Sequence, residues 1–415
     1  MVHDAPLRAS LVETVSVAAD APRRLPGEGL AVSNRVLFLN HSGALGGAEL
    51  CLQDIVRARP AGSRVVLLSD GRLRENLEKA GVPVSVAGGG ALHSVRRESA
   101  HPSPAAALAI LRLAPQVARQ ARDYDVIYAN SQKALLVACL AGLLAGRPVI
   151  WHLHDILQAE HFSAGNMRAV VAAANLGVAR VIANSNSTAQ AFVARGGRAD
   201  KVRVVYNAID PAPFDAAAAG PDLGRLELGL PAGRPLVGVF GRLAAWKGQH
   251  VVLQALPRLP GVELVLVGDA IFPGEAEYAQ SLRDQAQALG VAERVHFLGF
   301  RDDIPRLMRA MDIVVHASVA AEPFGRVIAE AMLAGRPVIA SRAGGVLEII
   351  EDGVTGRLVT PGCPDDLAAA VRHLCGAPGE AAELGRRGQA HVRTAFAPDR
   401  ILRQTEDVIS EVVRR

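Results

Sequence analysis

Two clusters of residues in this sequence have the types and spacing to handle a charged, hydroxyl-rich ligand. The first is Gly241-Arg242-Leu243-Ala244-Ala245-Trp246-Lys247-Gly248, where glycines flank a turn after the apolar run 236–240. Arg242 and Lys247 can both project from that turn into a solvated cleft. Two fixed cations suit a diphosphate, whose charge must be neutralised as a bond to it breaks. A solvated turn with two incidental charges is the competing reading. Lysine is rare here, with only Lys79, Lys133, Lys201 and Lys247 among 45 basic residues, and that favours a task for Lys247. The second cluster is Glu322-Pro323-Phe324-Gly325-Arg326-Val327-Ile328-Ala329-Glu330. Glu322 falls on a loop after the apolar run 312–318, and Glu330 falls inside the helix that follows. A helix start attracts anions, so carboxylates there make sense as acceptors for hydroxyl groups, as on a ribose and a sugar. Otherwise Glu322 only complements the helix dipole and Glu330 only faces solvent.

The first half of the chain offers fewer candidates. Gly46-Gly47-Ala48-Glu49 sits between an apolar run and a helical segment, which by itself is tight geometry. The run 148–154 ends in Trp151-His152-Leu153-His154-Asp155, and alternation along a strand puts His152 and His154 on one face. Asp123-Tyr124-Asp125 has the look of a metal-binding Asp-x-Asp. It precedes a strand, at the edge opposite the cleft, and reads as a helix end. Cys51, Cys139, Cys363 and Cys375 form no CxxC pair and show no zinc spacing, so they read as buried thiols of a reducing compartment.

These residues need a scaffold, and the hydrophobic pattern supplies one. Short β-branched runs at 35–40, 64–69, 82–87, 126–130, 149–154, 181–185 and 202–206 alternate with alanine-rich segments such as 104–122 and 133–145. After a pause near 207–220 the pattern restarts at 236–240, 263–267, 295–298, 313–316, 337–340 and 357–359. Strands alternating with helices predict parallel sheets covered on both faces. The 415 residues are too many for one core. The expectation is α/β: two doubly wound, Rossmann-like domains facing across a cleft, with ligand at the carboxyl ends of their strands. Residues 1–33 read as a loosely attached tail, 34–212 as an acceptor-binding domain and 213–395 as a donor-binding domain. Residues 396–415 read as a C-terminal helix packing back on the first domain. The uncharged run 134–146 is too short to span a bilayer and predicts a buried helix.

In order and spacing, the turn at 241–248, Glu322 and Glu330, the run Gly335-Arg336-Pro337-Val338-Ile339-Ala340-Ser341, Gly344-Gly345 and Asp352-Gly353 with Gly356 and Val359 resemble the retaining glycosyltransferases of family 4. The likeness extends over residues 35–415, more weakly in the first half. It implies the GT-B fold and transfer of a sugar from a nucleotide diphosphate-sugar to an acceptor hydroxyl on a glycan, a lipid-linked acceptor or a small molecule. Carried over by position, Arg242 and Lys247 hold the donor diphosphate and Glu330 binds the nucleotide ribose. Glu322 contacts the transferred sugar, and Phe324 and Gly325 bring backbone amides to sugar and phosphate. Gly46 and Gly47 form the loop touching donor phosphate or acceptor, and His154 is the active-site histidine. Ala208 stands where that family has glycine. Two other readings keep the fold, a sugar-nucleotide 2-epimerase and a non-catalytic nucleotide-binding subunit. The Glu322/Glu330 spacing argues against the first, and the intact Arg242, Lys247, Glu322 and Glu330 argue against the second.

No catalytic metal and no cofactor beyond the donor are expected, because side chains and amides of such a cleft neutralise the diphosphate. Scarce aromatics, 4% of residues, and a net charge of only +4 argue against nucleic acid as a partner. The charge is uneven: residues 34–190 hold 16 Lys/Arg against 10 Asp/Glu, and 191–415 hold 26 against 27. An anionic acceptor or an anionic membrane surface would explain that surplus, as would an arginine-rich coding bias. With no secretory signal in the first 33 residues, the expected setting is cytoplasmic, with peripheral contact at the inner face of the membrane left open.

Overall fold

The computed structural model describes residues 34–88, 104–158, 163–220, 225, 227, 229–271 and 274–414. The expected tail at 1–33 lies outside the described residues.

The first sheet contains β1 (Val36–Asn40), β2 (Ser63–Leu67), β3 (Val84–Val86), β4 (Val126–Ala129), β5 (Val149–Leu153), β6 (Arg180–Ala183) and β7 (Val202–Val204). Its order is β3-β2-β1-β4-β5-β6-β7, and every pairing is parallel. The second contains β8 (Leu236–Phe240), β9 (Glu263–Val267), β10 (Val295–Gly299), β11 (Ile313–His316), β12 (Val338–Ser341) and β13 (Arg357–Val359). It runs β10-β9-β8-β11-β12-β13, again parallel throughout.

Parallel neighbours need crossover helices, and those helices bury both faces of each sheet. The strands are apolar runs for that reason. In β9, Leu264 and Leu266 join the core on one face, while Val265 and Val267 join the core on the other. Strand order reverses between β1 and β4 and again between β8 and β11. Two adjacent strands then send their crossovers opposite ways, and a crevice opens at their carboxyl ends.

Three local findings refine the expectations. The run 134–146 does form a helix, Gln132–Ala145. It buries one side, including Leu135 and Ala138, and exposes Leu143 and Leu144. A helix covering a sheet seals only the stripe that touches it, so an apolar sequence all round does not ensure burial all round. Ala208 needs no left-handed backbone, since no described residue other than glycine has positive φ. Among the described residues, no helix is long and apolar enough to cross a membrane.

The helix Pro398–Val413 lies against the first lobe. Glu406 reaches the buried Arg59 at 2.6 Å, Glu411 pairs with Arg180 at 2.5 Å, and Asn34 Nδ2 donates to Ser410 Oγ at 3.1 Å. Burial pulls the Arg59 guanidinium's pKa down and pushes the Glu406 carboxyl's up, so each charge relies on the other. Glu406→Ala strands a buried cation and should cost about 3 kcal/mol. Urea unfolding should show a lower midpoint with the slope unchanged. Glu406→Gln should cost less, and a wild-type midpoint in Glu406→Ala would mean that the pair does not hold this helix.

Candidate functional site

The second lobe's crevice is built where the loops after β8 and β11 meet. Lys247 closes a short 3-10 turn, and Gly248 follows with φ 72°. A Cβ on Gly248 would stand 1.9 Å from Ala317 O, so only glycine lets this turn lie against the end of β11. Val319 N donates to Trp246 O at 2.9 Å and ties the two loops. Lys247 Nζ then donates to both oxygens of Glu322, at 2.8 and 3.0 Å, and sits 4.2 Å from the centre of the Trp246 ring. Ser318 Oγ donates to Glu322 Oε2 at 3.0 Å, and His316 Nε2 lies 3.3 Å from the same oxygen. Burial alone would raise the Glu322 carboxyl's pKa. Lys247 and His316 outweigh it and hold the group well below the usual range, so Glu322 is ionised. From behind, Gly344 and Gly345 press on the same loop: Gly345 N donates to Glu322 O at 2.7 Å, and a Cβ at Gly344 would stand 2.4 Å from that oxygen.

Lys247 is therefore not a free cation projecting into solvent, as its sequence setting suggests. It is the counter-ion of the neighbouring candidate. The other candidate cation, Arg242, lies on the same turn and pairs with Glu275 at 3.2 Å.

Next along the chain, Phe324 is buried against Phe396, and Gly325 (φ 100°) turns the chain into the helix Arg326–Leu333. Glu330 lies one turn into that helix and accepts from Arg326 Nε at 2.8 Å. Arg326 Nη1 donates to Asp54 Oδ2 of the first lobe at 2.9 Å. Burial raises the pKa of the Glu330 carboxyl, with Arg326 opposing. For Arg326, burial works against the charge, and Glu330 and Asp54 more than restore it. Glu330 is thus a partner in a bridge between the lobes and not a surface residue.

In the first lobe, the ends of β1, β4 and β5 lie side by side. His154 Nε2 is 2.9 Å from Asn130 Oδ1. Asn130 Nδ2 donates to Ala48 O at 3.0 Å and to Asn40 Oδ1 at 3.3 Å, and Asn40 Nδ2 donates to Glu49 Oε1 at 3.1 Å. This chain of amides ties His154 to the Gly46-Gly47 loop. Gly46 is extended, and a Cβ on Gly47 would meet nothing within 4 Å. Burial lowers the His154 pKa to about 4 against a smaller upward pull from Asp155, so its imidazole is neutral at pH 7. His152, fully buried, stacks on His154 with ring centres 3.9 Å apart and shares a 2.8 Å hydrogen bond with Tyr128 Oη through Nδ1. Burial, then His154, holds its pKa well below the ordinary value.

Asp123-Tyr124-Asp125 precedes β4, where the Asp125 carboxylate accepts from Arg35 N at 2.7 Å, a structural task. Several site residues carried no signal of their own in the sequence. Arg326 lies between Glu322 and Glu330 with nothing in the spacing to mark it, and Asp54 and Asn130 belong to no motif. Glu348 ends the run 343–348, which by itself assigns it no role: its carboxylate caps the helix Asn186–Ala194 of the first lobe, accepting from Asn186 N at 2.8 Å, Ser187 N at 2.9 Å and Tyr206 Oη at 3.0 Å.

The family model described as Glycosyl transferases group 1 matches residues 225–391, and that described as Glycosyltransferase Family 4 matches residues 45–213. A glycosyltransferase of Methanocaldococcus jannaschii is 33% identical over 216 residues, covering 50% of this chain and 54% of its own, so the chain spans about half the length of that relative. Alpha-maltose-1-phosphate synthase of Mycolicibacterium smegmatis is 31% identical over 342 residues, 75% of this chain and 87% of its own. Among solved structures, Anabaena HepE in complex with UDP and glucose superimposes with a TM-score of 0.82 at 42% identity, covering 91% of this chain and 99% of that one. Its complex with UDP-glucose gives 0.80 at 41%, covering 91% and 100%.

The Lys247–Glu322 pair makes a prediction about stability. Lys247→Ala removes the lysine that a buried carboxylate is paired with, at a cost of about 3 kcal/mol. The melting temperature should fall by several degrees. The double variant Lys247→Met/Glu322→Gln should recover most of the loss, since it removes both charges. Equal melting temperatures for wild type and Lys247→Ala would show that the pair contributes nothing to the fold.

Proposed function

Because the chain belongs to the group 1, family 4 glycosyltransferases and has their GT-B fold, we propose that it moves a sugar from a nucleotide diphosphate-sugar to an acceptor hydroxyl, retaining configuration and using no catalytic metal. The observation that carries this reading is the Lys247–Glu322 pair at the β8/β11 reversal, a cation and an ionised carboxylate on one ligand edge. HepE, 42% identical, binds UDP and glucose, which supports a uridine diphosphate-sugar donor of the glucose class. The acceptor would be a glycan, a lipid-linked sugar or a small molecule.

Lys247 and Arg242 neutralise the diphosphate, with the amides at Phe324 and Gly325 assisting. Glu330 turns from Arg326 to accept from the ribose hydroxyls. Glu322 orients the hydroxyls of the transferred sugar, and neutral His154, steadied by Asn130, lies across from it as hydrogen-bond partner. The Gly46-Gly47 loop leaves room for the donor phosphate or the acceptor. The bond from the anomeric carbon to the phosphate oxygen breaks as the acceptor oxygen forms its bond on the same face. The acceptor's proton passes to the departing phosphate. Glu322, the carboxylate placed at the transferred sugar, is engaged by Lys247 and Ser318 and so is poorly suited to act as a covalent nucleophile, which favours the same-face route.

Calorimetry with UDP separates the two glutamates. Glu330→Gln should weaken UDP binding about tenfold or more, the value of a hydrogen bond to a charged group. Glu322→Gln should leave UDP binding nearly intact and lower kcat by about 100-fold, because its contact tightens in the transition state. Equal losses of UDP affinity would overturn this division of roles. Transfer from UDP-glucose, followed as UDP release in the presence of acceptor, should also persist in excess EDTA. Loss restored by Mg²⁺ or Mn²⁺ would overturn the metal-independent reading.

A further inference from the structure

Beneath the cleft floor, three side chains with metal-binding atoms converge from two elements. Cys51 lies on the buried side of the helix Gly47–Arg57, His152 lies in β5, and His154 follows the end of that strand. One ligand atom from each lies within 4.8 Å of the other two. Around a tetrahedral zinc ion, such atoms stand roughly 3.3–3.6 Å apart, so a shift of about 1 Å closes the set.

The second observation is the state of His152. Its Nδ1 is taken by Tyr128 Oη, and its Nε2 is buried with no hydrogen-bond partner. A buried polar atom left without a partner is costly, and a fully enclosed imidazole would ordinarily find one. Tyr128 fixes the ring through one nitrogen and leaves the other for a ligand, which is how metal-bound histidines are commonly oriented. Asn130 plays the same part for His154.

We propose that Cys51, His152 and His154 form a binding site for a thiophilic divalent cation such as zinc, and that filling it draws His154 away from the cleft. One sulfur and two imidazoles suit zinc or cobalt and are poor ligands for magnesium or calcium. Three protein ligands leave a fourth position for water, as in open zinc sites. Binding exchanges the Cys51 S–H bond for a sulfur–metal bond and releases one proton to solvent. The ion is an inhibitor here and not a participant. Binding itself is independent of the glycosyltransferase reading, and only the effect on His154 rests on that reading.

Cobalt tests the site without reference to activity. One equivalent of Co²⁺ added to the full chain should give a thiolate charge-transfer band in the near ultraviolet and the visible bands of tetrahedral cobalt, both displaced by Zn²⁺. The triple variant Cys139→Ser/Cys363→Ser/Cys375→Ser should keep these bands. Cys51→Ser should lose the charge-transfer band, and His152→Gln should weaken cobalt binding at least tenfold. Circular dichroism spectra matching wild type must accompany both losses. No band in the wild-type chain, or a band that persists in Cys51→Ser, would overturn the site. With UDP-glucose, one equivalent of Zn²⁺ should cut turnover at least tenfold in wild type and leave the turnover of Cys51→Ser at its own zinc-free value. Full wild-type turnover with the site saturated would overturn the link to His154 while leaving the binding site standing.

Discussion

Arg326 cannot give up its proton, and it is largely enclosed between the two lobes, so carboxylates must meet it there. Glu330 does so from one turn along the same helix, and Asp54 does so from the other lobe. Neither carboxylate is comfortable alone: burial raises the pKa of both, and the guanidinium works against that rise. The lobes are therefore coupled through charge, in a setting where the loss of water strengthens each contact. Glu348 adds a second tie nearby, placing its negative charge on the amino end of a helix in the opposite lobe. A ligand that engages Glu330 must work against this shared arginine. If Glu330 takes the role proposed for it, nucleotide binding and the spacing of the lobes draw on one set of ion pairs.

The Lys247–Glu322 pair is a local version of the same economy. The sequence suggests two independent tools, a cation for phosphate and an anion for sugar. The structure joins them, because Gly248 and Gly344 let two loops approach within the reach of one side chain. A lysine already held by Glu322 and lying over the Trp246 ring keeps little rotamer freedom for a ligand to remove. It also shares its charge, so a diphosphate gains less from it than from an unpaired ammonium. What the pairing provides is position: Lys247 is held in one place before any ligand arrives, as the proposed role at the diphosphate would require.

How much of this could be read from residues alone follows from the same physics. Parallel strands buried on both faces are short apolar runs, and the runs at 236–240, 263–267 and 313–316 are β8, β9 and β11 to the residue. The helix over 132–145 was equally legible, but its exposed Leu143 and Leu144 were not, since composition does not say which stripe meets the sheet. Glu322, Glu330 and Lys247 stood out through spacing and through the rarity of lysine. Their partners did not. Asp54 lies 272 residues from Arg326, and Glu348 lies 162 from Asn186. No local pattern spans such distances.

What fills that gap is strand order, and the first lobe shows how. Asn40, Asn130 and His154 end or follow β1, β4 and β5, which are neighbours in the sheet although an excursion through β2 and β3 separates the first from the others in sequence. Period-two alternation does place His152 and His154 on one face, and their rings stack at 3.9 Å. It does not say that Cys51, on the helix after β1, comes to the same place. Adjacency at a doubly wound edge depends on the order in which strands enter the sheet, and that order is a property of the whole chain. Each strand end can therefore be recognised as a candidate by itself, whereas the chemistry a group of them can carry out appears only once the reversal at β1 and β4 has set them side by side.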